Sequence, residues 1–387
     1  MKKSLIALAV AGAFAAPSAM ADVTLSGAIN MGLLYGKSNQ GGATKTSLFP
    51  GYSNFNLTSV DDIGNGNRVM FNYQFNVENP HLPTAGAALT NRNSYLGIGG
   101  DWGAVKWGTN ENVYERMMYS SDFMDGAFGP GGNLLILGTA SSAGGASTVF
   151  EIDQNCSAAA PCMGFYRRSS HTVWYESPNW SGFSFEVDYT LSAYKTTTND
   201  PKILSIGGKY QPEGMPFWVD AAYESHDDMF GVNAVTGQVG GTASSDTGFQ
   251  IGGGYMFGDF TVGLRWERLT YEADGKGAGL INEWERDAFF INGKMNLPTG
   301  YAALQIGIAD EGSCALAGGG ACNAGTDTGA TMIGVGYAHN LSRQSQVLVF
   351  YNQMDNDSAA QYIAIGGTNV APGVDHRGLY LGIKHTF

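Results

Sequence analysis

The chain has 387 residues, with 21 lysines and arginines against 34 aspartates and glutamates and a formal charge of −13 at pH 7. That acidic balance argues against nucleic acid as a partner, since phosphate is met by a basic surface. Beyond the first twenty residues no apolar run reaches about 18, so helical membrane spans are excluded as well.

The chain opens with Met1-Lys2-Lys3, an apolar run from Leu5 to Ala16, and Ala19-Met20-Ala21. A charged start, a short apolar stretch and an A-x-A site predict a secretory signal over residues 1–21, cleaved before Asp22. The alternative, a membrane anchor, fails on length, because the run is too short to cross about 30 Å of hydrocarbon as a helix. Without Lys2 and Lys3, 19 basic residues face 34 acidic ones, a formal charge of −15 for residues 22–387. No linker, charge block or composition shift divides that stretch, which is read as one domain.

Alternating segments then recur in order. Val23, Leu25, Ile29, Met31, Leu33 and Tyr35 share one parity; Val69, Phe71, Tyr73, Phe75 and Val77 repeat the pattern with Asn72, Gln74, Asn76 and Glu78 between them. Successive strand residues point to opposite faces, so each segment has one apolar and one polar side. Strands are predicted at 22–36, 53–62, 67–78, 91–100, 103–110, 165–177, 182–194, 203–211, 216–226, 247–257, 259–272, 284–296, 300–310, 329–340, 344–355 and 376–387. That is sixteen, an even number. The last of them, Leu379 to Phe387, reaches the final residue, and an apolar strand at an open edge would invite aggregation unless the sheet closes on itself.

Connection lengths choose between a soluble sandwich and a membrane barrel. Turns at Asp62 to Gly66, Gly100 to Gly103, Ser177 to Gly182, Pro212 to Pro216, Gly258 with Asp259, Leu297 to Gly300 and Asn340 to Arg343 are short, and longer polar stretches lie between them. Short turns at one rim and long loops at the other is the plan of an outer-membrane β-barrel. The chain's 56 glycines suit turns and crowded walls, and its 19 tyrosines, 20 phenylalanines and 7 tryptophans suit a membrane interface. The fold expected is all-β: a 16-stranded antiparallel transmembrane barrel, wide enough for an aqueous channel.

One connection stands apart. From about residue 111 to 164 no convincing alternation appears, and loops of that length are usually functional. The segment carries Glu111, Glu115, Asp122, Asp125, Glu151 and Asp153 with Arg116 among them. An inward fold that narrows the lumen is expected over an external flap, because an open pore of this size would leak. The four cysteines fall in two close pairs, Cys156 with Cys162 and Cys314 with Cys322. Of three possible connectivities, two local disulfides fit an exported chain; metal binding, the rival reading, lacks a CxxC unit and clustered histidines.

Asp22-Val-Thr-Leu-Ser-Gly, Asp61-Asp-Ile-Gly-Asn-Gly, Ser94-Tyr-Leu-Gly-Ile-Gly-Gly, Tyr175-Glu-Ser-Pro-Asn-Trp-Ser-Gly-Phe, Ile333-Gly-Val-Gly-Tyr-Ala-His-Asn-Leu-Ser and Lys384-His-Thr-Phe occur in that order along the chain. Together they resemble the general porins of Gram-negative bacteria, the β-proteobacterial trimeric type above all. The resemblance implies a homotrimer in the outer membrane, bathed by lipid and lipopolysaccharide, with the third loop in the pore and passive diffusion of small hydrophilic solutes and ions. It implies that the strand ending at Phe387 is the signal read by the barrel-assembly machinery. It also implies a constriction with basic residues on the wall facing acidic residues on the loop. Arg168 matches the family's wall arginine; Arg92 and Lys106 are further wall candidates, although Tyr95 and Leu96 have opposite parities and leave the face of Arg92 open. Glu111, Glu115, Asp122 and Asp125 are the loop candidates. The sequence departs from the family at Asn54 and Thr109, where arginine is usual, so the basic wall is thinner and ion preference is open.

Gly36-Lys37-Ser38 resembles the end of a phosphate loop, but Met31 stands where glycine is needed and no helix follows. The six histidines are dispersed, so no catalytic group, metal or cofactor is expected. The alternatives to a general diffusion channel are a substrate-selective channel, or a barrel that only scaffolds an outer-membrane enzyme or adhesin.

Overall fold

A computed structural model describes residues 23–39, 44–49, 51, 53–77, 89–124, 132–140, 164–191, 195–197, 199–229, 231–236, 244–273, 277–362 and 371–387. The predicted signal over residues 1–21, Asp125 and the pair Cys156 and Cys162 lie outside the described residues.

Sixteen antiparallel strands close into a barrel. They are β1 (Thr24–Ser38), β2 in two segments (Lys45–Phe49 and Asn54–Gly64), β3 (Asn67–Val77), β4 (Leu89–Gly100), β5 (Gly103–Glu111), β6 (Arg168–Glu176), β7 (Phe183–Thr190), β8 (Lys202–Tyr210), β9 (Phe217–Asp227), β10 (Ser244–Phe257), β11 (Phe260–Ala273), β12 (Ile281–Leu297), β13 in two segments (Gly300–Ala309 and Ser313–Leu316), β14 (Ala330–Asn340), β15 (Ser345–Asn356) and β16 (His376–Thr386). Each strand pairs with its chain neighbours, and β1 closes on β16 from Ala28 opposite Thr386 to Ser38 opposite His376. Among the described strands no edge is left, so the apolar strand β16 is paired on both sides.

The alternation sorts side chains by solvent. On β16, Leu379, Leu381 and Ile383 are exposed on the outside while Tyr380 between them is buried. On β8, Leu204 and Ile206 are exposed and Ser205 between them is fully buried. In water so much exposed apolar surface would be untenable; against hydrocarbon it is the favourable face. The inner face is packed where it is not polar. The Phe350 ring lies so flat against the wall that a Cβ on Gly336 would meet it at 2.5 Å, and Tyr380 stacks on Phe350 with ring centroids 6.4 Å apart.

The seven tight connections fall where the sequence predicts. The two-residue turn at Gly258 and Asp259 needs a positive φ, and Gly258 supplies it at +63°. Boundaries differ at the other rim. The second strand also includes Lys45–Phe49, paired with Gly32 to Gly36, and β13 resumes at Ser313–Leu316 against β12. These extensions are polar or short, so period-two apolarity does not mark them. Cys314 and Cys322 form the expected local disulfide, with Cα atoms 5.7 Å apart.

The segment between β5 and β6 carries a helix, α1 (Val113–Met118), and 3-10 turns at Tyr119–Ser121 and Asn133–Leu135. Its Val113, Tyr114, Met117, Met118, Leu134, Ile136, Leu137 and Phe165 join Tyr271, Trp284 and Phe290 of the wall in the main apolar cluster.

Candidate functional site

The first residues after β5 turn onto the inner wall because wall side chains satisfy their backbone. The first amides of a helix have no partner within it. Here the Val113 N–H donates to Asp188 Oδ2 at 2.9 Å and the Tyr114 N–H to Ser205 Oγ at 3.0 Å. Asn112, at the N-cap position, makes no side-chain cap; its Nδ2 instead donates to Glu224 Oε2 at 3.1 Å. The loop is thus stitched across β7, β8 and β9.

Two buried arginines hold the rest. Arg265 of β11 donates to the Met117 carbonyl at 2.7 Å, to Ser120 Oγ at 2.7 Å and to Ser121 Oγ at 2.6 Å, and pairs with Asp220 of β9 at 2.6 Å. Arg286 of β12 donates to the Ile136 carbonyl at 2.9 Å and pairs with Glu267 at 2.9 Å. Glu267 accepts the Gly138 N–H at 2.8 Å and the Tyr114 hydroxyl at 3.0 Å. All four charged side chains are fully buried, so each needs the other. Sequence reasoning missed these residues. Their signal was available on β11, where Arg265 and Glu267 occupy the parity opposite exposed Leu264.

The predicted constriction residues are brought together only in part, and not as bare charges facing each other across a gap. Arg168 pairs with Glu111 at 2.6 Å and Arg92 with the same carboxylate at 3.3 Å. Glu111 is a correction: it is the last residue of β5, directly opposite Arg168 on β6, and so belongs to the wall rather than the loop. Arg92 reaches it because β4 carries one extra residue between Asn91 and Ser94 relative to β3, a bulge that reverses the side-chain parity. Glu115 does sit on the loop, in α1, but it is 1% exposed and accepts the Tyr119 hydroxyl at 2.5 Å. Burial, reinforced by the charge of Glu111, pushes its carboxyl up to about 7. Asp122 accepts the Met124 N–H and Gln305 Nε2, both at 3.0 Å, which ties it to β13. Lys106 is held away from the loop acids by Glu176 of β6 at 2.6 Å and lies 4.8 Å from the centre of the Tyr95 ring. A charge moved into a confined site keeps its ionised form by finding an opposite one, and here the partners are near neighbours on the wall.

The more solvent-facing charges form a different group. Glu176 and Glu186 are directly opposite each other on β6 and β7, an unfavourable pairing by itself. Lys106 neutralises the first. Arg116, from α1, neutralises the second through Nε at 3.0 Å and also reaches Asp188 at 3.4 Å. The loop therefore contributes a cation and the wall contributes acids, the reverse of the expected arrangement. The two glutamates are the more accessible members: Glu176 is 33% and Glu186 26% exposed, against 10% for Lys106, 19% for Arg116 and 1% for Asp188.

A family model described as Gram-negative porin matches residues 7–359. The chain is 25% identical to outer membrane porin protein 32 of Delftia acidovorans, over all of both chains. It is 24% identical to an outer membrane porin protein of Bordetella pertussis, over 97% of this chain and 100% of that one. Among solved structures it is similar to an anion-selective porin from Comamonas acidovorans, with a TM-score of 0.74, 20% identity and coverage of 95% and 100%. It is also similar to the trimer form of OmpT from Vibrio cholerae, with a TM-score of 0.64, 12% identity and coverage of 95% and 99%.

Proposed function

This chain belongs to the Gram-negative porins, diffusion channels of the outer membrane, and from that premise we propose how it is assembled and what it lets through. It is exported by cleavage of residues 1–21 and works as a homotrimer, recognised by the assembly machinery through the strand ending at Phe387 and surrounded by lipid and lipopolysaccharide. Small hydrophilic solutes and ions pass between the wall and the loop that follows β5. Arg168 and Arg92 share the Glu111 carboxylate, a group with one positive charge in excess whose side chains are only 10–12% exposed, and Lys106, Glu176, Arg116, Glu186 and Asp188 form the group that solutes meet. The role is transport alone, with no reaction step.

The ion preference that follows is for cations. The observation that carries it is the greater exposure of Glu176 and Glu186 over their partners. Lys106 and Arg116 are the more buried members, Asp188 lies behind them at 1% exposure, and the two glutamates are the charges that a passing solute meets first. The Comamonas relative is an anion-selective porin; the sign here is expected to be opposite, because this chain's basic side chains are bound to neighbouring acids. The test of the channel reading is stepwise conductance from purified protein in a planar bilayer, in groups of three. A folded, heat-modifiable sample that gives no steps would refute it.

A further inference from the structure

The inner wall of β2 and β3 has a character of its own. Phe55 and Leu57 share the outward parity with Leu25 of β1; across the pair Phe75 opposes Phe55, Tyr73 opposes Leu57 and Phe71 opposes Ser59. The positions between point inward. They are Asn54 and Asn56 on β2 and Asn72, Gln74 and Asn76 on β3, all half-buried. Register places Asn54 opposite Asn76, Asn56 opposite Gln74, and Thr58 opposite Asn72. Asn72 in turn lies opposite Tyr95 of β4. Five primary amides thus form a block two strands wide, with no charge among them.

Asn72 Nδ2 donates to the Asn93 carbonyl, but the other hydrogen bonds of this block are long. Gln74 Nε2 donates to Asn54 Oδ1 at 3.4 Å and Asn56 Nδ2 to the same oxygen at 3.5 Å; Gln74 Oε1 accepts the Asn93 N–H at 3.4 Å. Bonds at that limit are weak and easily exchanged for a better partner. Each amide offers two N–H donors and one carbonyl acceptor. An anion could use only the donors and would face the carbonyl oxygens; a cation could use only the oxygens. A hydroxyl uses both. Cross-strand neighbours about 5 Å apart present these groups at a spacing like that of hydroxyls on alternate carbons of a polyol.

We infer that Asn54, Asn56, Asn72, Gln74 and Asn76 form a weak binding track for neutral polyhydroxylated solutes, sugars and sugar alcohols, inside the lumen. The inference rests on the channel reading. Weakness is a requirement, since a solute that binds tightly would stop its own passage.

The experiment measures single-channel current in a planar bilayer as raffinose is added, with polyethylene glycol of matched size as control. Raffinose is expected to reduce the current along a saturating curve with half-effect at millimolar concentration, while polyethylene glycol, which has no donors along its chain, reduces it only in proportion to its amount. In the triple variant Asn56→Ala, Asn72→Ala, Gln74→Ala the half-saturating concentration should rise at least about 10-fold, at roughly 2- to 10-fold per hydrogen bond lost. If that variant gives no folded channels, the single variant Gln74→Leu carries the test with a rise of about 3-fold. A linear raffinose effect equal to that of polyethylene glycol overturns the inference, as does unchanged half-saturation in the variant that folds. Either result comes with normal salt conductance, whereas a failure of the channel reading shows no conductance at all.

Discussion

Replacing Arg265 by Met should loosen the loop without opening the barrel. The substitution keeps an apolar stem of similar size and removes the donors that reach Met117, Ser120 and Ser121. Among the described residues it also leaves Asp220, fully buried, with the Ser120 hydroxyl at 2.5 Å as its remaining side-chain donor. Removing one partner of a buried pair costs about 3–5 kcal/mol, mostly through the charge left behind. That raises the population of the detached loop by about 200- to 5,000-fold. The barrel, held by ladders between all sixteen strands, is not expected to lose closure. The orphaned charge makes the argument specific. Arg265→Met with Asp220→Asn removes both ions and should cost less than the single change, about 1–2 kcal/mol for the lost loop contacts. Two assays report on the loop: trypsin cleavage after Arg116 in folded protein, and flicker in the open-channel current. The order expected for both is native lowest, double variant intermediate, single variant highest. A single variant as resistant and as quiet as the native protein, or a double variant worse than the single, would refute the reasoning.

Charge removal at the exposed pair gives the next expectation. An exposed carboxylate about 5 Å from a passing ion is worth about 0.8 kcal/mol in water, and about 0.5 kcal/mol after screening at 0.1 M salt. That is about 2-fold for each sign of ion and about 5-fold in the cation-to-anion permeability ratio. Glu176→Gln with Glu186→Gln leaves Lys106 and Arg116 without their exposed acids, so the ratio should invert; an unchanged zero-current potential would place both side chains away from the conducting path. Glu115 predicts a pH effect. Its carboxyl is raised to about 7, so its contribution to loop attachment is complete below the unfolded value near 4.3 and is lost as pH rises toward 7. Trypsin cleavage after Arg116 should therefore increase between pH 5 and pH 8, and Glu115→Gln should remove that trend; a slope retained in the variant would assign it elsewhere. Reduction of Cys314–Cys322, which closes a short rim segment on β13, should lower the thermal stability of that rim and leave conductance unchanged; altered conductance would mean that the rim gates the pore.

How far the sequence could be read depended on whether a feature is local. Val69, Phe71, Tyr73 and Phe75 declare their outward face by period alone, and the sixteen strands and seven tight turns follow from that rule repeated. Arg92 defeats the rule, because the bulge between Asn91 and Ser94 reverses parity and no local residue announces it. The shift between β5 and β6, with His171 at φ +57°, is of the same kind. Glu111 looks like a loop acid until the register sets it beside Arg168. The inward parity of Arg265, Glu267 and Arg286 is visible along their strands. Their partners are not, since Arg265 and Ser121 lie 144 residues apart and meet only when the loop is in place. Signs of charge can be counted in a sequence; which of them remain exposed after pairing is decided by contacts of this range.

Preference for cations through the exposed carboxylates Glu176 and Glu186 is tested most directly by the zero-current potential of the native channel in a tenfold potassium chloride gradient. A potential of the sign carried by cations is expected, with potassium passing about five times more readily than chloride. A potential of the opposite sign, showing anion preference, would contradict it.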